Sequence, residues 1–387
     1  MTYDRVHHSS WHSARNSQRP MYPKRLYNLD VSRGLAALSV VVWHWQHFFF
    51  SRERLADTFQ RDSQPLYSIL SPFYEHGGHF AVSFFFILSG FVFFWLYHDK
   101  IATNRCSFYQ FWVYRFARLY PLHFATLLLT ILLQGYFHFL NGHFFVYGFN
   151  DGYHLLLQLF FVSSWGFENG DSFNGPIWSV SIEVGLYAMF FAFAWLRGNV
   201  WLKLISTLAT ALVMLKFGIE LRWASAVLAF FMGGLTFKTL DIYLRSKFRS
   251  HDRTILALTL ALWCIIFLSG DAAHAIFSKY IYLLVLYPPT IASLVLAEIH
   301  RPEALKKVSW IGDITYSTYL LHFPLQLVFV LGVSAFGLKS EIFSQANTFL
   351  LYFAALVVLS LASFHWFERP VQSLLRQKLL KPRRERH

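Results

Sequence analysis

Charge is scarce in this sequence. Asp, Glu, Lys and Arg make up 14% of its 387 residues, against about 25% in an ordinary soluble domain. That shortage excludes a water-facing globular surface for most of the chain. Cysteine is scarcer still. Cys106 and Cys264 are too few for a disulfide framework or a cysteine zinc site. No Gly-rich nucleotide loop, zinc-protease helix or lipase-type nucleophile elbow occurs. No fixed-period repeat appears, which argues against the internally duplicated folds of many secondary transporters. The first twenty residues are polar and rich in His and Ser, with no apolar core. They are expected to be disordered and do not form a signal peptide.

Apolar length is what the chain has in quantity. It is 55% hydrophobic, with 43 Phe and a mean hydropathy of +0.38. Repeated apolar runs of roughly 17–20 residues predict an all-α, polytopic membrane helix bundle with about 10 transmembrane helices. The expected spans lie near 35–50, 80–97, 121–140, 178–196, 200–218, 222–240, 255–270, 279–297, 313–334 and 346–365. One membrane domain, 26–370, is expected between a cytoplasmic N-terminal tail (1–25) and a basic cytoplasmic C-terminal tail (371–387). The orientation follows from the basic residues, which cluster in alternate loops as cytoplasmic loops require. Lys100, Arg105, Arg115 and Arg118 share a side with Lys238, Arg245, Lys306 and Lys307. The same clustering explains the net charge of +13 without invoking nucleic acid. His154–Trp165 is apolar but too short to span, so a re-entrant or interfacial segment is expected there. It sits in a long acidic loop, 141–177, placed outside by this topology, and long loops often carry binding.

Ionisable residues inside a span cost several kcal/mol on insertion scales and therefore stand as functional candidates. Four places carry them. In RLYNLDVSRGLAALSVVVWHWQHFFF, Arg33 and His44 are eleven residues apart. On a continuous α-helix that spacing leaves them about 20° apart in azimuth and roughly 16 Å apart along the axis. Asp30 and His47 fall close to the same stripe. Histidine suits proton removal from a hydroxyl; the plainer reading is a hydrogen bond to a neighbouring helix. Asp30, some 21 Å from His44 along the helix, is better placed to pair with Arg33. In FWVYRFARLYPLH, Arg115 and Arg118 share a face at i, i+3. They suit an anionic ligand as guanidinium forks, or they are ordinary flanking charge.

In NGPIWSVSIEVGLY, Ser179, Glu183 and Tyr187 recur at i, i+4, i+8. Glu183 is expected about a turn and a half below the outer surface, able to orient an imidazole, bind a hydroxyl, or pair with an arginine. In HGGHFAVSFFFILSGF, His76 and His79 lack a third metal ligand, so no metal is expected. Gly77 and Gly78 predict a tight turn or close backbone approach, and Ser89 and Gly90 a small-residue packing site. His322, in YSTYLLHFP, is a second intramembrane histidine and competes with His44 for the same role.

With these pieces in order, the chain resembles the acyltransferase-3 family of integral membrane O-acyltransferases. LDVSRGLAALSVVVWH is similar to its opening signature, with the Arg-x10-His pair at Arg33 and His44. FAVSFFFILSGFVF, RFARLYP, NGPIWSVSIEVGLY, ITYSTYLLHFPL and HWFERP resemble five further blocks in the expected order. The His-x4-Asp pattern of soluble-headed glycerolipid acyltransferases is missing, and no SGNH hydrolase-like domain is expected after the last span. The resemblance implies acyl-CoA, usually acetyl-CoA, as a cytoplasmic co-substrate with no bound cofactor. It implies a hydroxyl of an extracytoplasmic glycan or glycoside as acceptor, in a cell inner membrane. It carries His44 over as catalytic and Arg33, Arg115 and Arg118 as functionally important; Glu183 is taken as a second catalytic residue and the three arginines as donor-binding. Asp30, Trp178, Ser179 and His322 are supporting or acceptor-side candidates, Trp178 either stacking on a sugar or anchoring the interface. The rival reading is a proton-coupled or solute transporter that uses the same polar stripe.

Overall fold

A computed structural model describes residues 22–246, 251–268 and 281–380, apart from the side chains of His79 and Phe267. The expected N-terminal tail up to Met21, the start of the 279–297 span and the last seven residues lie outside the described residues. Nearly everything described is helix. The helices are α1 (Tyr27–Trp43), α2 (Tyr67–Phe93), α3 (Phe108–Asn141), α4 (Gly152–Leu159), α5 (Ile177–Trp195) and α6 (Val200–Lys216). They continue as α7 (Leu221–Arg245), α8 (Asp252–Leu268), α9 (Tyr287–His300), α10 (Thr315–Ala335), α11 (Ala346–Ala362) and α12 (Arg369–Leu379). The described residues hold one sheet, a two-residue hairpin pairing Phe50 with Leu55 and Ser51 with Arg54.

Among the described residues, seven helical segments are long and apolar enough to cross a membrane: Phe80–Ala102, Phe108–Asn141, Ile177–Trp195, Leu221–Arg245, Tyr282–His300, Thr315–Ala335 and Ala346–Leu379. Helices α1, α6 and α8, at three further expected spans, are 17 residues each. The protein is a multi-pass helical membrane protein. Helix α2 starts well before the expected 80, and α12 begins at the end of the expected membrane domain and runs into the expected tail as far as Leu379.

Local chemistry sets several helix ends. Helix α3 opens with a capping box, in which Ser107 Oγ accepts from Gln110 N–H at 3.2 Å and Gln110 Oε1 accepts from Ser107 N–H at 3.1 Å. It closes at Gly142, whose φ of +73° suits a residue without Cβ. Asp151 caps α4 by accepting from His154 N–H at 2.8 Å.

The chain sorts into two compact units, Met1–Ala36, Val82–Asp99 and Leu196–Asp313 forming the first, and Ala37–Ala81, Lys100–Trp195 and Ile314–His387 the second. In the first unit, α2 and α7 meet backbone to backbone. A Cβ at Gly90 would stand 1.7 Å from the Phe230 carbonyl oxygen, and one at Gly233 1.9 Å from that of Ile87. Gly90 is thus the small-residue contact its sequence suggested. In the second unit, Gly78 lies inside α2 and not in a turn, and a Cβ there would meet the Trp43 ring at 2.5 Å. The core of the second unit gathers Trp45, Phe48, Tyr74, Phe343, Phe349 and Tyr352.

The 141–177 segment does not stay on a surface. His154, Gln158, Ser164, Ser172 and Asn174 are all buried, and polar atoms dragged inside must find partners. Gln158 Nε2 donates to the Ser172 carbonyl at 2.9 Å, and Ser164 N–H to Ser181 Oγ at 3.1 Å. Asn174 Nδ2 donates to the Leu320 carbonyl of α10 at 2.9 Å. The short helix α4 is therefore the start of a segment folded into the helices of its own unit.

Candidate active site

The second unit brings three histidines together. Helix α1 stops at Trp43, and the chain tightens into a 3₁₀ turn over His44–Phe49. Side chains at i and i+3 eclipse in that geometry, so His44 and His47 face the same way, with ring centroids 4.8 Å apart. The continuous-helix spacing expected for His44 ends one residue before it. Helix α10 supplies His322, whose ring centroid is 5.0 Å from that of His44. All three imidazoles are buried, His322 completely.

The hydrogen bonds fix where two of the ring protons sit. Gln326 Nε2 donates to the His44 carbonyl at 2.8 Å, which turns Gln326 Oε1 towards His47 Nδ1 at 3.0 Å. An amide oxygen only accepts, so His47 carries its proton on Nδ1. His322 Nδ1 lies 2.7 Å from the Tyr319 carbonyl, also a pure acceptor, so this proton too is on Nδ1. His322 Nε2 then holds a lone pair. It is buried with no hydrogen-bond partner among the described residues. The Tyr352 hydroxyl donates to the His322 carbonyl at 2.7 Å and pins the backbone there. Phe50, Tyr147 and Phe323 set their rings 5.4, 5.7 and 6.0 Å from His47. Gly175 makes room for Tyr147, since a Cβ would stand 2.2 Å from that ring.

The same unit has an arginine end. Arg118 is ion-paired with buried Glu368, which also accepts from Ser317 Oγ at 2.8 Å. Its guanidinium lies 5.7 Å from the Tyr316 ring centre, and the Tyr316 hydroxyl donates to the Leu119 carbonyl at 2.7 Å. Buried Arg115 stands 5.8 Å from the Tyr187 ring centre, and the Tyr187 hydroxyl is hydrogen-bonded to Glu183. Glu183 therefore works among Tyr187 and Arg115. Helix α5 starts deep in its unit, because Ser179 Oγ meets the Tyr319 hydroxyl at 2.6 Å and Tyr319 also reaches the Pro176 carbonyl at 3.0 Å. Trp178 beside them is half-buried.

Helix α10 joins the two ends. Tyr316, Tyr319, His322 and Gln326 form one polar stripe along it, and Tyr316 to His322 is about 9 Å by helix rise. Tyr319, Gln326 and Glu368 were not among the expected site residues. The signal for Tyr319 and Gln326 was the spacing in TYSTYLLHFPLQ, polar at three- and four-residue steps within an apolar run.

Arg33 and Asp30 belong to the first unit. Arg33 donates to the Gly312 carbonyl at 2.6 Å and pairs with Asp30 at 3.2 Å. Asp30 also receives Arg25 Nε at 2.5 Å, while another Arg25 nitrogen reaches Asp313 at 2.6 Å. Lys24, Arg25, Asp30, Arg33 and Trp95 line a cleft there.

Buried histidines, a polar stripe and two arginines thus lie together in one unit of a multi-pass helical membrane protein. Residues 26–366 match the acyltransferase-domain family, and the chain belongs to that acyltransferase-3 family. It is similar to the acyltransferase MdmB of Streptomyces mycarofaciens, 38% identical over 115 residues that cover 29% of this chain and 27% of the relative. It is also similar to the peptidoglycan O-acetyltransferase OatA of Listeria monocytogenes. That alignment is 22% identical and covers 90% of this chain and 56% of the relative. The chain thus spans about a quarter and about half the length of these two curated relatives. No solved structure matches.

Proposed function

We propose that this protein is a membrane O-acyltransferase. It moves an acyl group, acetyl in the first instance, from cytoplasmic acyl-CoA to a hydroxyl of an extracytoplasmic glycan or glycoside. The observation that carries this is the histidine cluster joined by the α10 stripe to the Arg115–Arg118 end. The cluster supplies a base, the arginines a place for phosphate, and the distance between them is one an extended pantetheine arm spans. The name of the Listeria relative supports acetyl and glycan as the substrate classes.

Arg115 and Arg118 take the donor's phosphates, for which guanidinium forks are suited. Arg33 is assigned to donor binding on the same chemical ground, from the cationic cleft of its own unit, with Asp30 holding its guanidinium. Glu183 holds Tyr187, against whose ring Arg115 lies, at the donor end. His44 accepts the proton of the acceptor hydroxyl as its oxygen bonds to the thioester carbonyl carbon. The C–S bond then breaks, and the thiolate recovers the proton from His44. Ser179 and Trp178 lie on the way between the two ends and serve the acceptor or the acyl chain. The alternating basic loops support a cell inner membrane protein with both termini cytoplasmic.

The test is acyl transfer in membrane vesicles from labelled acetyl-CoA to envelope glycan. His44→Ala should insert normally and lose at least about 100-fold in rate, the usual worth of a general base. Activity near wild type in that variant would refute the assignment.

A further inference from the structure

We infer that His322 is the hydrogen-bond acceptor that positions and stabilises protonated His44, so that the site works as a histidine–histidine dyad. The inference rests on the acyl-transfer reading and adds a residue role to it. When His44 takes a proton it becomes an imidazolium with N–H on both nitrogens. The new N–H faces the substrate from which its proton came, so the N–H on the other nitrogen needs a buried acceptor, or the charged base is strongly disfavoured. In hydrolases that acceptor is a carboxylate. Here Glu368 is held by Arg118 and Ser317, and Glu183 by Tyr187.

His322 offers the required atom. Its Nδ1–H is tied to the Tyr319 carbonyl at 2.7 Å, so Nε2 is a lone pair and cannot be a donor. That Nε2 is buried with no partner among the described residues, and the residue itself is fully buried. The ring lies 5.0 Å from His44, centre to centre, tilted by 31°. A small turn of His44 directs its N–H at Nε2. Tyr352 fixes the His322 backbone from the other side. A neutral imidazole in this role adds no buried charge, unlike a carboxylate. Over one turnover the proton passes from the acceptor hydroxyl to His44 and on to the thiolate, while His322 Nε2 accepts from the other N–H of His44. His322 keeps its Nδ1 proton throughout. His322 is thus a positioning residue that acts through His44.

Two substitutions separate this role from a structural one. An asparagine amide reaches the place of Nδ1 and keeps the link to the Tyr319 carbonyl, but has nothing at Nε2. A glutamine amide reaches the place of Nε2 and can accept there, but gives up the Tyr319 link. In vesicles carrying each full-length variant, His322→Asn should lose at least about 100-fold in kcat. His322→Gln should stay within about 10-fold of wild type, and KM for acetyl-CoA should be little changed in both. Asparagine equal to or better than glutamine overturns the dyad, as does glutamine as inactive as asparagine. Wild-type vesicles that transfer no label refute the acyl-transfer reading and the dyad with it. A second measurement needs no variant to be active. Solid-state ¹⁵N NMR of the wild-type protein in liposomes should show His322 as the neutral Nδ1–H tautomer, and the Nε2–H tautomer there would overturn the dyad.

Discussion

Removing Glu368 should damage this protein more than removing most exposed charges, and the structure says why. The Arg118–Glu368 pair is buried, with the carboxylate side chain 2% and the guanidinium 15% exposed. Glu368 also holds the Ser317 hydroxyl, and Arg118 lies over Tyr316. Glu368→Ala leaves a guanidinium and a hydroxyl without their acceptor in a site that water hardly reaches. Breaking a buried pair by deleting one partner costs about 3–5 kcal/mol. Against a typical total of about 5–15 kcal/mol, that is a large share. The assay is reversible unfolding in mixed micelles, run as a double-mutant cycle with Arg118→Met. Arg118→Met in the Glu368→Ala background should recover part of the loss, because no isolated charge then remains. Strictly additive costs would show that the pair does not couple and would refute the reasoning. If Arg118 binds the donor as proposed, the same variants should also raise KM for acetyl-CoA.

Three further outcomes follow from the geometry. Gly90→Val should abolish stable insertion, since even a Cβ would fall 1.7 Å from the Phe230 carbonyl oxygen; folded protein at normal yield would contradict the close α2–α7 approach. Gly175→Ala should lower transfer by displacing Tyr147, whose ring a Cβ would approach to 2.2 Å, and adding Tyr147→Ala should recover part of that activity if the clash is the cause. The Asp151 carboxyl is held below its ordinary range, first by the His154 backbone N–H and then by its ring. A depressed carboxyl contributes stability above its unfolded pKa of about 3.9 and loses it as pH falls through the folded value. Asp151→Asn should therefore flatten the acid limb of a melting-temperature profile below about pH 4, and an unchanged limb would remove the cap from the account.

Most of the helices were legible because hydrocarbon-length apolar runs admit few alternatives. The polar stripe of the first helix was legible up to Trp43. The tightening at His44 was not, because nothing in WHWQHFF distinguishes a 3₁₀ turn from a last α turn, yet that turn is what puts His44 and His47 side by side. Asn-Gly-Pro before α5 reads as a surface turn. In the structure Asn174 is buried and reaches the Leu320 carbonyl, which ties the start of α5 to α10, while Glu183 and Arg115 both meet Tyr187. Arg115 and Arg118 declared a shared face by their spacing. The partner of Arg118 lies 250 residues along the chain, beyond any local pattern. His322 was visible as a misplaced polar residue, but the bond that decides its tautomer is to its own helix backbone and leaves no mark in the sequence.

The central claim is that acyl transfer depends on the buried imidazole at position 44. The direct measurement compares wild-type and His44→Ala vesicles, matched for inserted protein, for label transferred from acetyl-CoA to envelope glycan. The account predicts clear incorporation by wild type and at least about 100-fold less by the variant. Equal incorporation by the two, or none by wild type, would contradict it.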